Sequence, residues 1–179
     1  MSLLPGEDLN ELFVSFERTA DRLEVRDRYS DPVEDEVVRR YVAGEPDDMA
    51  WAKPWLDQVR KLASEGKRFR RVRVVSLPLS DYQRCGVLAV VAHNIEAGED
   101  IRYLAREQAD DLPQFDYWVF DAGTAAARVA KLHFDDADRL LGAEIISESS
   151  LIDPLDRALK SAYERALSPE GFAVERGLR

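Results

Sequence analysis

Residues 71–104 read RVRVVSLPLSDYQRCGVLAVVAHNIEAGEDIRYL. Val72, Val74 and Val75 are β-branched and alternate with Arg71 and Arg73, a strand pattern. Pro78 interrupts it. Ser80 with Gln83 three positions on is an S-x-x-Q capping box. Cys85, Leu88, Ala89, Val91, Ala92 and Ile95 supply the buried face of a helix of about sixteen residues. Ala97-Gly98 closes that helix, and Ile101, Tyr103 and Leu104 begin the next strand. A strand, a helix of this length and a second strand predict a right-handed βαβ crossover.

Upstream, Leu9, Leu12, Phe13 and Phe16 recur at helical spacing and predict an amphipathic helix over Asp8 to Thr19. Leu23 and Val25 alternate with charged residues and predict a short edge strand. Asp31 as N-cap, Pro32 at the first helical position and Glu34 three residues after the cap open another helix, which Gly44 ends. A further helix starts near Pro54, with Trp55, Leu56, Val59, Leu62 and Ala63 inward and Gly66 as its stop. Trp51 and Trp55 read as core anchors.

Downstream, 115–120, 129–134 and 140–146 are three strand-like runs, joined at Asp121-Ala122-Gly123 and at 135–139. They predict an antiparallel meander. Asp153 as N-cap and Pro154 at the first position predict the last clear helix, and 168–179 a frayed or docked tail. The expectation is one α/β domain over residues 1–179 with a mixed sheet. It comprises a helical part over about 8–66, the βαβ unit over about 69–104, and the meander and last helix over about 115–167.

Composition narrows the function classes. The 179 residues carry a net charge of −10, yet residues 51–104 alone hold 10 basic and 6 acidic side chains. An acidic whole disfavours general nucleic-acid binding, which needs a basic footprint. The one local candidate for it is the 67–73 stretch, with Lys67, Arg68, Arg70 and Arg71. A single cysteine, Cys85, permits no internal disulfide and no zinc-finger spacing, and fits a reducing cytoplasm. No membrane-length apolar run and no basic leader is present in the sequence. Phosphate-loop, dinucleotide, zincin and nucleophile-elbow motifs are also missing, so no cofactor or metal is expected.

The richest polar stretch is the strand-to-helix turn, where open α/β sheets bind ligands and a helix N-terminus favours anions. Ser80, Asp81, Tyr82 and Arg84 lie on it, with Arg73 and Arg102 on the flanking strands. These six are the candidate ligand- or partner-binding residues. Capping explains Ser80 and Asp81 but not Tyr82, Arg84 or Arg102. His93 sits in the central helix, and His133 at a strand end before Asp135 and Asp136; His133 is the alternative catalytic candidate.

The succession RLEVRDRY (22–29), RRYVAGEP (39–46), WLDQVR (55–60), RVRVVSLPLSDYQR (71–84), NIEAGEDIRYL (94–104), YWVFD (117–121) and LHFDD (132–136) resembles an actinobacterial domain-of-unknown-function family over about residues 8–165. Its members are small single-domain proteins often encoded beside helix-turn-helix regulators. The order of elements also resembles, more distantly, one half of the phospholipase D-like fold. Catalytic members of that fold carry H-x-K-x-x-x-x-D, whereas His133 is followed by Phe134 and Asp135 with no lysine in place. The resemblance implies a family and no activity; together with the missing catalytic motifs and the single cysteine it leads to the expectation of a cytoplasmic, non-catalytic regulatory or partner-binding domain, with a helix-turn-helix regulator or another protein as partner. A phosphodiester hydrolase built around His133 is the alternative, and weak nucleic-acid binding through the 67–73 stretch the second.

Overall fold

A computed structural model describes residues 3–178. Six strands form one mixed sheet: β1 (Thr19–Glu24), β2 (Arg68–Val75), β3 (Glu99–Ala105), β4 (Tyr117–Phe120), β5 (Arg128–Phe134) and β6 (Leu140–Ile146), in the order β3-β2-β1-β4-β5-β6. β1, β2 and β3 run parallel, and β4, β5 and β6 continue antiparallel from β1. The βαβ unit and the meander are thus halves of one mixed α/β sheet.

The alternation at Leu23 and Val25 predicts an edge strand, but β1 is central, hydrogen-bonded to β2 on one side and β4 on the other. Its charges are not on a solvent face. Asp21, 2 % exposed, accepts two hydrogen bonds from Arg70 at 2.9 and 2.6 Å, and Glu24 meets arginines of β2. Charge next to apolar residues here marks cross-strand pairing, which a single strand does not reveal.

The N-terminal helix is shorter than its pattern: α1 spans Leu9–Ser15, and Phe16 is already extended. Asp121 fixes the entry to β1, its carboxylate accepting from the backbone N–H of Glu17, Arg18 and Thr19 at 2.9, 2.7 and 3.1 Å. α2 (Pro32–Ala43) has the expected cap, with Asp31 accepting from Val33 N and Glu34 N. It is followed by α3 (Lys53–Ser64). Together α2 and α3 make the crossover from β1 to β2.

The crossover from β2 to β3 departs from a plain helix. α4 (Asp81–Cys85) passes through one π turn, Gly86–Val90, into α5 (Val91–Ala97). Val91 N–H donates to Gly86 C=O, five residues back. The surplus residue rotates everything after it. Val87, Val91, Asn94 and Ala97 are buried, while Ile95, expected inward, is 43 % exposed and Ala92 is exposed. Gly98 ends α5 at φ 114°, where a Cβ would stand 2.9 Å from Ala63 Cβ of α3.

α6 begins earlier than its capping pattern predicts. It spans Ser149–Arg165 with Pro154 inside it, because Glu148 C=O accepts the N–H of Leu151 and Ile152 at 2.9 and 3.0 Å and Ile152 is buried against the sheet. The tail is docked. Leu167 and Tyr103 exchange two backbone hydrogen bonds at the edge of β3, and α7 (Pro169–Glu175) buries Phe172 against the Tyr103 ring, centroids 5.6 Å apart.

Side-chain parity divides the sheet. Leu23, Val72, Val74, Leu104, Val119 and Val129 face α6. Ala20, Phe69, Trp118, Phe120, Ala130 and Leu132 face α1 and α3. Between the apolar ends of this second face lies a polar centre.

Candidate functional site

Arg22 and Glu24 of β1 sit in register with Arg71 and Arg73 of β2, all four on the face towards α1, α2 and α3. Glu24 is the hub. One oxygen lies 3.3 Å from Arg22 Nη1 and 3.2 Å from Arg71 Nη1, and the other 2.7 Å from Arg73 Nε. Two further carboxylates stand behind the arginines: Asp116 at 3.3 Å from Arg22 Nη2, and Glu99 at 2.7 Å from Arg71 Nε. The last contact is off the N–H direction, so it is an ion pair without a hydrogen bond. Asp116 also accepts from Val25 N at 2.9 Å and from the Tyr29 hydroxyl. Glu99 accepts from Trp55 Nε1 at 2.6 Å and Asn94 Nδ2 at 2.8 Å, fastening α3 and α5 to the edge of β3.

Burial sharpens these charges rather than neutralising them. Burial alone would raise Glu24; the guanidiniums of Arg22, Arg73 and Arg71 outweigh it and hold the carboxyl down at about 2. Burial would lower Arg22 and Arg73, yet Glu24 keeps both above their ordinary value. Burial pushes Tyr29 and Tyr103 up, and burial with Glu34 does the same for Tyr82. Glu24, Arg22, Arg73, Tyr29, Tyr82 and Tyr103 are thus all moved away from neutral pH.

Above the polar floor lies a cleft of about 520 Å³, roofed by α1, α2, α3 and the α4–α5 helix. Phe13, Trp51, Trp55, Trp118, Tyr29 and Phe134 make most of its aromatic wall, and Asp31, Glu34 and Asp138 stand at its rim. The π turn contributes directly: Gly86 lines the cleft, and a Cβ there would stand 3.3 Å from Arg73 Nη1. The missing side chain lets a guanidinium approach the helix backbone.

The six sequence-derived residues separate. Arg73 and Tyr82 come together at the cleft, where the Tyr82 hydroxyl donates to Glu34 at 2.5 Å. Ser80 is consumed by its capping box, accepting from Gln83 N while Gln83 Oε1 accepts from Ser80 N. Asp81 is exposed in the first turn and Arg84 half-buried at its end; neither lines the cleft. Arg102 is on the opposite sheet face, over the Tyr163 ring at 3.9 Å with Arg70 at 4.6 Å. There it clamps α6.

His133 also lies outside the cleft, 3.4 Å from Glu144 across the β5–β6 ladder, and His93 is exposed on α5. The basic stretch is largely spent inside the molecule: Lys67 Nζ donates to Phe16 C=O at 2.6 Å, Arg68 and Arg70 pair with Asp21, and Arg71 with Glu24 and Glu99. Sequence reasoning missed Arg22, Glu24, Tyr29 and Asp116, and took Arg71 only for the basic stretch. The available signal was the match of R-x-E at 22–24 with R-x-R at 71–73 on strands one crossover apart.

A second network ties the C-terminal ends of the parallel strands. Asp27 accepts from Ser76 N at 2.9 Å, Ser76 Oγ at 2.6 Å, Gln83 Nε2 at 2.6 Å and Arg106 Nη2 at 3.1 Å. It anchors the start of α4 beside the cleft mouth. Among the described residues no group of His, Cys, Asp and Glu side chains is arranged to hold a metal ion, and no helix is long and apolar enough to cross a membrane.

No curated protein matches the chain. A family profile matches residues 7–174, nearly the whole length, and its extent takes in both the polar floor and the helices that roof it. The chain therefore belongs to the family described as a domain of unknown function, DUF6879.

Proposed function

We propose that the chain is a non-catalytic regulatory domain of the cytoplasm, whose cleft receives a small molecule and whose surface reports occupancy to a protein partner. The supporting observation is the floor. Three arginines, 14–21 % exposed, and a shared buried carboxylate occupy the centre of a sheet face, where apolar packing would be as stable or more so. They lie under an open, aromatic-walled cleft of a volume typical of small-molecule sites. Glu24, Arg22, Arg73 and Tyr29 are shifted away from neutrality, which suits recognition better than acid–base catalysis. A hydrolase on His133 has less support, since that histidine lines neither this cleft nor the smaller cavity around Asp27 and Arg106.

The proposed output is the strand-to-helix turn from exposed Leu77 to Arg84, continuous with Tyr82 at the cleft. The resemblance to proteins encoded beside helix-turn-helix regulators makes such a regulator the partner to test first. A thermal-shift screen of the full chain against a broad metabolite library should yield a ligand that raises Tm. Arg73→Met should abolish the rise while keeping its circular dichroism spectrum. A library that moves neither Tm nor tryptophan emission would refute the reading.

A further inference from the structure

The charges of the floor balance, but its hydrogen bonds do not. Arg22, Arg71 and Arg73 face Glu24, Glu99 and Asp116, three cations against three carboxylates. A guanidinium offers five N–H donors in a rigid plane. Glu24 alone is shared by all three, and Arg22 Nε and Arg71 Nε are buried with no hydrogen-bond acceptor. Buried donors of this kind call for acceptors. An anion would add charge to a neutral cluster, beneath a rim that carries Asp31 and Glu34, with Asp138 already paired to Arg26. Arg22, Arg71 and Arg73 line the cleft with 14–21 % of their side chains exposed, and an uncharged acceptor meets those exposed groups without that cost.

We propose that the cleft takes a planar, uncharged heterocycle with a carbonyl and ring-nitrogen acceptor edge, of the keto-purine type, and rejects the phosphorylated form of the same molecule. The proposal rests on the reading of the cleft as a ligand site and names the ligand's class. The guanidinium fork fits the O6/N7 edge of a keto-purine, the pairing by which arginine reads guanine. Glu34, at the rim, already accepts from the Tyr82 hydroxyl and acts on a ligand through its charge. Phe13, Trp51, Trp55 and Trp118 supply flat surfaces for stacking. A volume of about 520 Å³ accommodates a nucleoside. The presence of three arginines would ordinarily be read as a phosphate site; their neutralisation by three carboxylates reverses that reading.

All three tryptophans of the chain line this cleft, so emission excited at the indole band reports on it alone. The test is calorimetry and tryptophan quenching on the full chain with guanosine, inosine, adenosine and guanosine monophosphate. Guanosine or inosine should bind one to one and quench. Adenosine, which presents an amino donor where the others present a carbonyl, should bind at least about tenfold more weakly. Guanosine monophosphate should bind about fivefold more weakly than guanosine, and Glu34→Gln at the rim should close that gap.

Arg73→Met should remove binding; because it alters the floor, Glu34→Gln carries the test if that variant fails to fold. No heat and no quenching with either keto-purine up to about 2 mM, the weak end of small-ligand affinity, would overturn the proposal. Tighter binding of the monophosphate than of guanosine, with quenching, would overturn the ligand class and leave the cleft as a ligand site. Failure of the wider metabolite screen would remove both.

Discussion

Replacing Glu24 by Gln removes one charge and almost no volume from the centre of the sheet. Glu24 is 2 % exposed and within 3.3 Å of three guanidiniums. The variant leaves three half-buried cations facing two carboxylates, and sets an amide N–H₂ among donors. Breaking a buried ion pair on one side costs about 3–5 kcal/mol. A second route gives a similar figure. The folded-state pKa, about 2, lies below the ordinary 4.5. Depression means that the contribution is complete above the ordinary value and is lost as pH falls from there through the folded value. The gap between the two is worth about 3 kcal/mol.

Against a total stability of about 5–15 kcal/mol this is a large share. Urea titration followed by far-ultraviolet circular dichroism, at neutral pH and in steps from the ordinary carboxyl range downwards, measures both quantities. The variant should lose about 3 kcal/mol at neutral pH and show a shallower acid limb. A loss below about 1 kcal/mol, the range of an exposed pair, or an acid limb as steep as that of the unchanged chain, would refute the account of Glu24 as the hub.

Asp121→Ala should cost about 2–4 kcal/mol by orphaning the N–H groups of Glu17, Arg18 and Thr19, seen as lowered urea midpoint and faster hydrogen exchange at those amides. Gly98→Ala combines a φ of 114° with a 2.9 Å approach to Ala63 Cβ, and should cost about 1–3 kcal/mol; Ala63→Gly in the same chain should recover only the steric part. Phe172→Ala should cost about 3–5 kcal/mol in equilibrium unfolding, because the docked tail buries that ring on Tyr103; a near-neutral result would mean that α7 is not held.

What could be read from the chain was what local chemistry decides. Asp31-Pro32 and Ser80…Gln83 mark helix starts because the capping bonds run within four residues. The meander was legible because its apolar runs and turns follow one another directly. Three features escaped. β1 looked like an edge because Asp21, Arg22 and Glu24 have partners some fifty to ninety residues away. The face of the central helix was misjudged because 3.6-residue counting has no place for a π turn. The start of α6 was misplaced because Pro154 is a first-turn signal that packing of Ile152 overrides.

The candidate site was legible only at Arg73 and Tyr82. The turn supplies Tyr82, but the rest of the floor comes from strands that two crossovers bring together, and from acids that look solvated in one dimension. Arg102 was drawn towards the turn by sequence proximity, and strand parity sends it to the other face.

The π turn sets a length for the helix it interrupts. One end is fastened at Gln83 to Asp27, and the other at Asn94 to Glu99. Between these two moorings the chain has one residue more than an α-helix would use. Removal of a single residue from 86–90 would heal the winding with both moorings kept, whereas removal of a second would turn Asn94 by about 100° about the axis and away from Glu99. The segment works as a vernier between two fixed anchorages, and its natural mutation is a change in residue number rather than in residue type.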